Sequence, residues 1–323
     1  MLNLFYRCST LLLLLSITAC SLPSQPPPRN LSNTNPSIRV TDASGTEIAL
    51  VDSPQKIVCL HLSCIDTLAE LDFPPIGVHN GLLSLANSQV YFSNPKHEFV
   101  PLAGHAEVSL EQLLQLKPDL IMGVLGLEYQ RQRFQPIAPL YVLQVESYQD
   151  ALENLKAVGA LIGRTERAEI AAQAFLDKLN TYKAKAPKNR TVLLTNGTTG
   201  RFFIATDRSL VGSALAELVQ YPWELSDRIP SAINWAQFSQ EEILKIDPDV
   251  IFILVANPQP NRLEELRKHS FWQGLKAVRN GEVYELSDDL AGGLSSGTRS
   301  LSALLDAMMP KVYPDVFGES APD

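Results

Sequence analysis

Basic residues are in short supply: 27 Lys and Arg against 35 Asp and Glu give this 323-residue chain a formal charge of −8. That deficit argues against nucleic acid or a polybasic membrane contact as partner. No G-x-x-x-x-G-K-[ST] or H-E-x-x-H string occurs, so phosphate-loop and zincin chemistry lack their minimum residues. The N-terminal apolar run is shorter than the roughly 20 residues a membrane-spanning helix needs. Otherwise the composition is that of a globular protein, with 45% hydrophobic and 19% charged residues.

One phrase occurs twice. Ser109–Gly123 reads SLEQLLQLKPDLIMG and Ser239–Ile253 reads SQEEILKIDPDVIFI. Six of the fifteen positions are identical, and three more are Leu/Ile or Leu/Val exchanges. The separation of 130 residues exceeds a solenoid period of about 20–50 residues and fits two similar halves. In each copy a capped helix feeds a buried strand. Ser109 and Ser239 suit the N-cap, with Gln112 and Glu242 three residues on as capping-box partners. Glu111 and Glu241, second in each helix, are left without a capping role beyond complementing the helix dipole.

The first twenty residues, MLNLFYRCSTLLLLLSITAC, carry one Arg, an apolar core at Leu11–Leu15 and then small residues. This is a signal-peptide pattern over 1–19. Ile17-Thr18-Ala19-Cys20 resembles a bacterial lipobox, with Cys20 as the lipidated mature N-terminus. Residues 20–37 then form a Pro-rich tether, and at about 3.1 Å per residue Ser21–Ser37 could reach on the order of 50 Å. The protein is therefore expected outside the cytoplasm, anchored to a membrane through lipid. Of the four cysteines, Cys59 and Cys64 remain, either as a disulfide in an exported protein or as two buried thiols.

Beyond the tether, IRVTDASGTEIAL alternates like a hairpin turning at Ala43-Ser44-Gly45. KIVCLHL, PIGVHN, DLIMG and PLYVLQ are strands separated by helical segments, the alternation of a parallel sheet covered on both faces. Tyr148 to about Lys185 is helical and broken at Gly163, and the alternation restarts at TVLLTNG. The expected fold class is α/β. Its parts are an N-terminal lobe over 38–147, a linking helical segment over 148–187, a C-terminal lobe over 188–296, and a closing helix and tail over 297–323.

PQKIVCLHLSCIDTLAELDFPPIGV, SLEQLLQLKPDLI, GSALAELV and FWQGLKAVRNGEVYELSDD, in this order, resemble the substrate-binding lipoproteins of iron–siderophore, ferric-citrate and cobalamin ABC importers. The resemblance covers roughly 38–315. It implies two Rossmann-like lobes with parallel-rich sheets, joined by one long helix that is a poor hinge, with ligand held between them. It implies no catalysis and no intrinsic cofactor, only ferric iron carried as a siderophore or citrate chelate. It also implies that Glu111 and Glu241 dock onto arginines of an ABC permease dimer. LAGGLSSG, after the VYELSDD strand, departs from the aromatic that many siderophore binders carry there, so chelate size and shape stay open.

Ligands of open α/β sheets sit beyond the carboxyl ends of the strands. With anionic chelates in mind, cations and aromatics there are candidate contacts. Arg201, Arg299, Trp235, His79 and His105 are the ligand-binding candidates, with Arg131, Arg208 and Tyr129 behind them. Arg201 and Arg299 lead, and Trp235 fits a cleft wall or the core equally well. Cobalamin or haem would suit the same fold. Direct zinc or manganese capture would draw on His61, His79, His105 and Asp289. An enzyme could use His79 or His105 as general base beside Asp289, without any nucleotide-binding fingerprint.

Overall fold

The computed structural model describes residues 37–92, 97–104, 108–196, 202–229, 234–254, 262–286, 290 and 296–318, and 36–323 form one compact unit. A hairpin of β1 (Ile38–Thr41) and β2 (Glu47–Leu50) opens it. Its turn is organised by Asp42, whose Oδ1 accepts from the amides of Ser44 and Thr46. Oδ2 accepts from Arg131 at 2.6 Å and from the Val142 amide, tying the hairpin to the first lobe.

The first lobe is a five-stranded parallel sheet in the order β5-β4-β3-β6-β7. Its strands are β3 (Ile57–Cys59), β4 (Gly77–His79), β5 (Val100–Leu102), β6 (Leu120–Val124) and β7 (Leu140–Leu143). Every residue of β3 and β7 is buried, the pattern of strands covered on both faces. The second lobe has the order β10-β9-β8-β11-β12, from β8 (Val192–Asn196), β9 (Phe202–Ala205), β10 (Trp235–Phe238), β11 (Val250–Leu254) and β12 (Val283–Leu286). Here β8, β11 and β12 are parallel to one another, while β9 is antiparallel to both β8 and β10. The apolar run at β9 is thus the return arm of a hairpin, a distinction that period alone cannot make.

The longer helices are α1 (Leu62–Glu70), α2 (Leu110–Leu116), α3 (Tyr148–Leu161), α4 (Thr165–Lys185), α5 (Leu210–Leu218), α6 (Gln240–Ile246) and α7 (Thr298–Val312). α3 starts on a full capping box, Ser147 with Asp150. It stops at Gly163, whose φ of +71° suits glycine. α4 is 21 residues, about 32 Å of helix. Ala168 and Ala172 on its first turns belong to the first lobe's core, while Phe175 and Leu179 belong to the second's. One rigid rod is therefore shared by both hydrophobic cores.

α7 makes a second crossing. Leu301, Leu304, Leu305, Met308, Met309 and Val312 are buried in the second lobe's core. Its N-terminus is capped from the first lobe, by the fully buried Asp66 of α1. Asp66 Oδ1 accepts from the Arg299 amide at 3.1 Å and Oδ2 from the Ser300 amide at 2.9 Å. Gly297 has no side chain to cap with, and a Cβ there would lie 2.3 Å from Asp66 Oδ1. The Tyr91 hydroxyl donates to Ser296 Oγ at 3.1 Å beside this joint.

Candidate functional site

The duplicated phrase builds the same object twice. Each helix is capped by its serine, which accepts from the amide of Gln112 or Glu242. Each ends in a left-handed residue, Lys117 at φ 49° and Asp247 at φ 48°. Each buries its fourth residue completely, Leu113 and Ile243. The Pro-Asp that follows has one task in both copies. Asp119 Oδ2 accepts from the amides of Gln55 and Lys56, just before β3. Asp249 Oδ2 accepts from the amide and hydroxyl of Thr191, just before β8. Each carboxylate thus fastens the start of one parallel strand to its neighbour.

The copies differ at the third helical residue. Glu242 completes the capping box on Ser239 and pairs with Arg228, and these bonds, the Ser239 amide first, hold its carboxyl down at about 2. Gln112 does not complete a box, contrary to expectation: the Ser109 amide is already given to the Ala103 carbonyl, and Gln112 Oε1 turns to the Ala103 amide at 2.8 Å. Glu111 and Glu241 are exposed in both copies and make no hydrogen bond or ion pair among the described residues. Two carboxylates in matching places are free to meet a cation.

At the carboxyl edge of the first sheet, two histidines do the same backbone work. His61 Nδ1 accepts from the Ser63 amide and caps α1; His79 Nδ1 accepts from the Gly81 amide after β4. His79 Nε2 then donates to the Gly104 carbonyl at 3.0 Å. Burial lowers the His61 pKa to about 4, so the ring is neutral. Both acceptor lone pairs are spent on backbone, leaving neither nitrogen available to a metal as the rings stand. Among the described residues no cluster of three or more His, Cys, Asp or Glu could hold a metal ion. The same turn is braced by a Cys59–Cys64 disulfide with a Cα–Cα distance of 5.6 Å, which resolves the two cysteine readings.

The other candidates fare differently. Arg299 is half-buried at the lobe joint, where Nε donates to the Val90 carbonyl and the guanidinium faces Glu70 at 3.5 Å. Trp235 is 3% exposed in the second lobe's core. Arg131 is spent on Asp42 and the Leu140 carbonyl. Arg208 and Tyr129 are exposed. Cys20, His105, Arg201 and Asp289 lie outside the described residues. A cavity of about 450 Å³ is lined by Lys56, Pro74, Ile76, Phe99 and Leu116, at the amino ends of β3 and β4 and therefore on the wrong edge for a ligand of this sheet type.

Sequence reasoning passed over Asp66 and Tyr91, which join the lobes. An acid in the middle of the apolar helix SCIDTLAEL, Asp66, was the available signal. A G-x-S-x-G string is also present, at Gly293–Gly297. Its Ser295 lies outside the described residues, so the motif carries no argument here. No helix among the described residues is long and apolar enough to cross a membrane.

Known proteins agree with this geometry. The Fe(3+)-citrate-binding protein YfmC of Bacillus subtilis is 24% identical over 317 residues, covering 94% of this chain and 95% of that one. The high-affinity heme uptake protein IsdE of Staphylococcus aureus is 25% identical over 72% of this chain and 79% of its own. The crystal structure of the triscatecholate siderophore binding protein FeuA of Bacillus subtilis, complexed with ferri-bacillibactin, superposes with a TM-score of 0.71 at 20% identity, covering 86% of this chain and 98% of that one. Residues 57–290, well over half of the chain, match the family described as periplasmic binding protein. The chain belongs to that family, the substrate-binding proteins of ABC transporters, which bind and deliver rather than catalyse.

Proposed function

We propose that the chain is a lipid-anchored extracytoplasmic receptor that captures a ferric chelate, a siderophore or citrate, and delivers it to an ABC permease dimer. The observation that carries delivery is the pair of uncommitted carboxylates, Glu111 and Glu241, at matching places on matching helices of the two lobes. A twofold-symmetric permease would read both. The ferric-citrate relative, aligned over nearly all of both chains, supports the ligand class. Cys20 carries the lipid and 20–37 is the tether. Iron is cargo, and the protein has no intrinsic cofactor.

His79 stands at the carboxyl edge of β4, and with Arg201 and His105 forms the proposed ligand-facing set. Arg299 and Trp235 belong behind that set, given their burial and bonds. The test is equilibrium dialysis of the mature domain against ferric citrate, a ferric hydroxamate, a ferric catecholate, haemin, cobalamin and zinc. Saturable one-to-one uptake of a ferric chelate, absent with the iron-free chelator, is expected. Binding of haemin, cobalamin or zinc alone would keep the transport role and overturn the iron assignment.

A further inference from the structure

The outward face of each duplicated helix carries a second matched feature. One turn after the free glutamate stands an exposed leucine: Leu114 is 56% exposed and Leu244 is 41% exposed. The burial sequence along the two helices is nearly the same, with the fourth residue inside and the fifth and sixth outside in both copies. Single exposed leucines need no explanation on a protein surface. A leucine exposed at the same register on both lobes, three residues from a glutamate without an ion partner, is a patterned feature. Residues at i and i+3 share one helix face.

We infer that Leu114 and Leu244 are the apolar halves of two matching contact points for the permease dimer, each point pairing one carboxylate with one leucine. This rests on the docking role proposed for Glu111 and Glu241. An exposed ion pair alone contributes little and is screened by salt. A leucine seated in an apolar recess beside it adds contact that salt does not screen and shields the ion pair from water. The partner surface is correspondingly defined: two symmetry-related sites, each a cation beside an apolar recess. The neighbouring sixth residues, Gln115 and Lys245, differ in charge between the copies, so they cannot form the symmetric part of such a contact.

The test places a photo-crosslinking benzoylphenylalanine, one position at a time, in the full chain expressed in its own cells. The positions are 111, 114, 241 and 244, with Ile170 on α4, 64% exposed, as the control. Crosslinks from 114 and 244 to the same polytopic membrane subunit, absent from 170, are expected. With the crosslinker at 111 or 241, the L114A/L244A background should lower yield about tenfold, the loss typical of one strong interface side chain. Crosslinks from 111 and 241 but not from 114 and 244 would overturn this inference and leave docking standing. Silence at all four would overturn both, and crosslinks to a second copy of the chain would replace the permease as occupant.

Discussion

At the scale of single residues, the joint between the lobes is tightly specified. Asp66 offers one oxygen to each of two amides at the start of α7, so an amide in its place would turn an N–H donor against one of them. Asp66→Asn is therefore expected to lower the free energy of unfolding by about 2 kcal/mol or more, measured in urea. Gly297→Ala should be comparably harmful for a different reason: its Cβ would occupy the position of the Asp66 carboxylate. Neighbouring Glu70 has its pKa raised to about 7, by burial first and then by the negative charge of Asp66, against the pull of Arg299 and Arg167. The fold thus favours protonated Glu70. Its contribution is complete below the ordinary value of 4.5 and is lost as pH rises through about 7. The span is worth on the order of 3 kcal/mol. Thermal unfolding followed from pH 4.5 to 8 should show this loss, and Glu70→Gln should flatten it; an equally steep profile in the variant would move the effect elsewhere.

At the scale of elements, the repeated helix and strand were legible because both carry their own periodicity and caps. The purpose of the Pro-Asp between them was not, because the groups that Asp119 and Asp249 bind lie 63–64 and 58 residues away in sequence. Removing either carboxylate should leave two donors at the start of a parallel pair without their partner. Asp119→Ala and Asp249→Ala are each expected to cost about 1–3 kcal/mol. They sit in different sheets, so the double variant should be additive within about 0.5 kcal/mol. A large coupling, seen in the double-mutant cycle, would mean that the two sheets unfold through a shared contact. The failures of sequence reading at this scale have the same origin. β5 is three residues long and contains Pro101, so it offers no period to read. The Ser109 box failed because a loop carbonyl, Ala103, reached the serine amide first. Residue type and register sufficed to place Glu111 and Glu241 as exposed, matching positions on the two helices. The candidate site was illegible where the decision rests on what else a side chain touches, as at Arg299 and Trp235.

At the scale of the whole molecule, two features oppose any large opening. α4 is shared by both cores, and α7 is rooted in one lobe and capped by the other. A hinge needs a few residues able to absorb backbone rotation, and neither crossing provides them between the cores. Ligand should therefore be recognised by a largely preformed surface, and delivery should depend on the permease rather than on a ligand-driven closure. Charge reversal separates the two steps. In Glu111→Lys with Glu241→Lys, uptake by intact cells of the ligand found in dialysis should be abolished, while the purified protein should keep its affinity for it. The single reversals should each fall between wild type and the double variant, because under the proposed docking either lobe alone would retain one of two contact points. Affinity lost along with uptake would place these glutamates in ligand binding; uptake unchanged in the double variant would leave them as ornaments of the helix dipole, and the duplication would then be explained by the strand-fastening Pro-Asp alone.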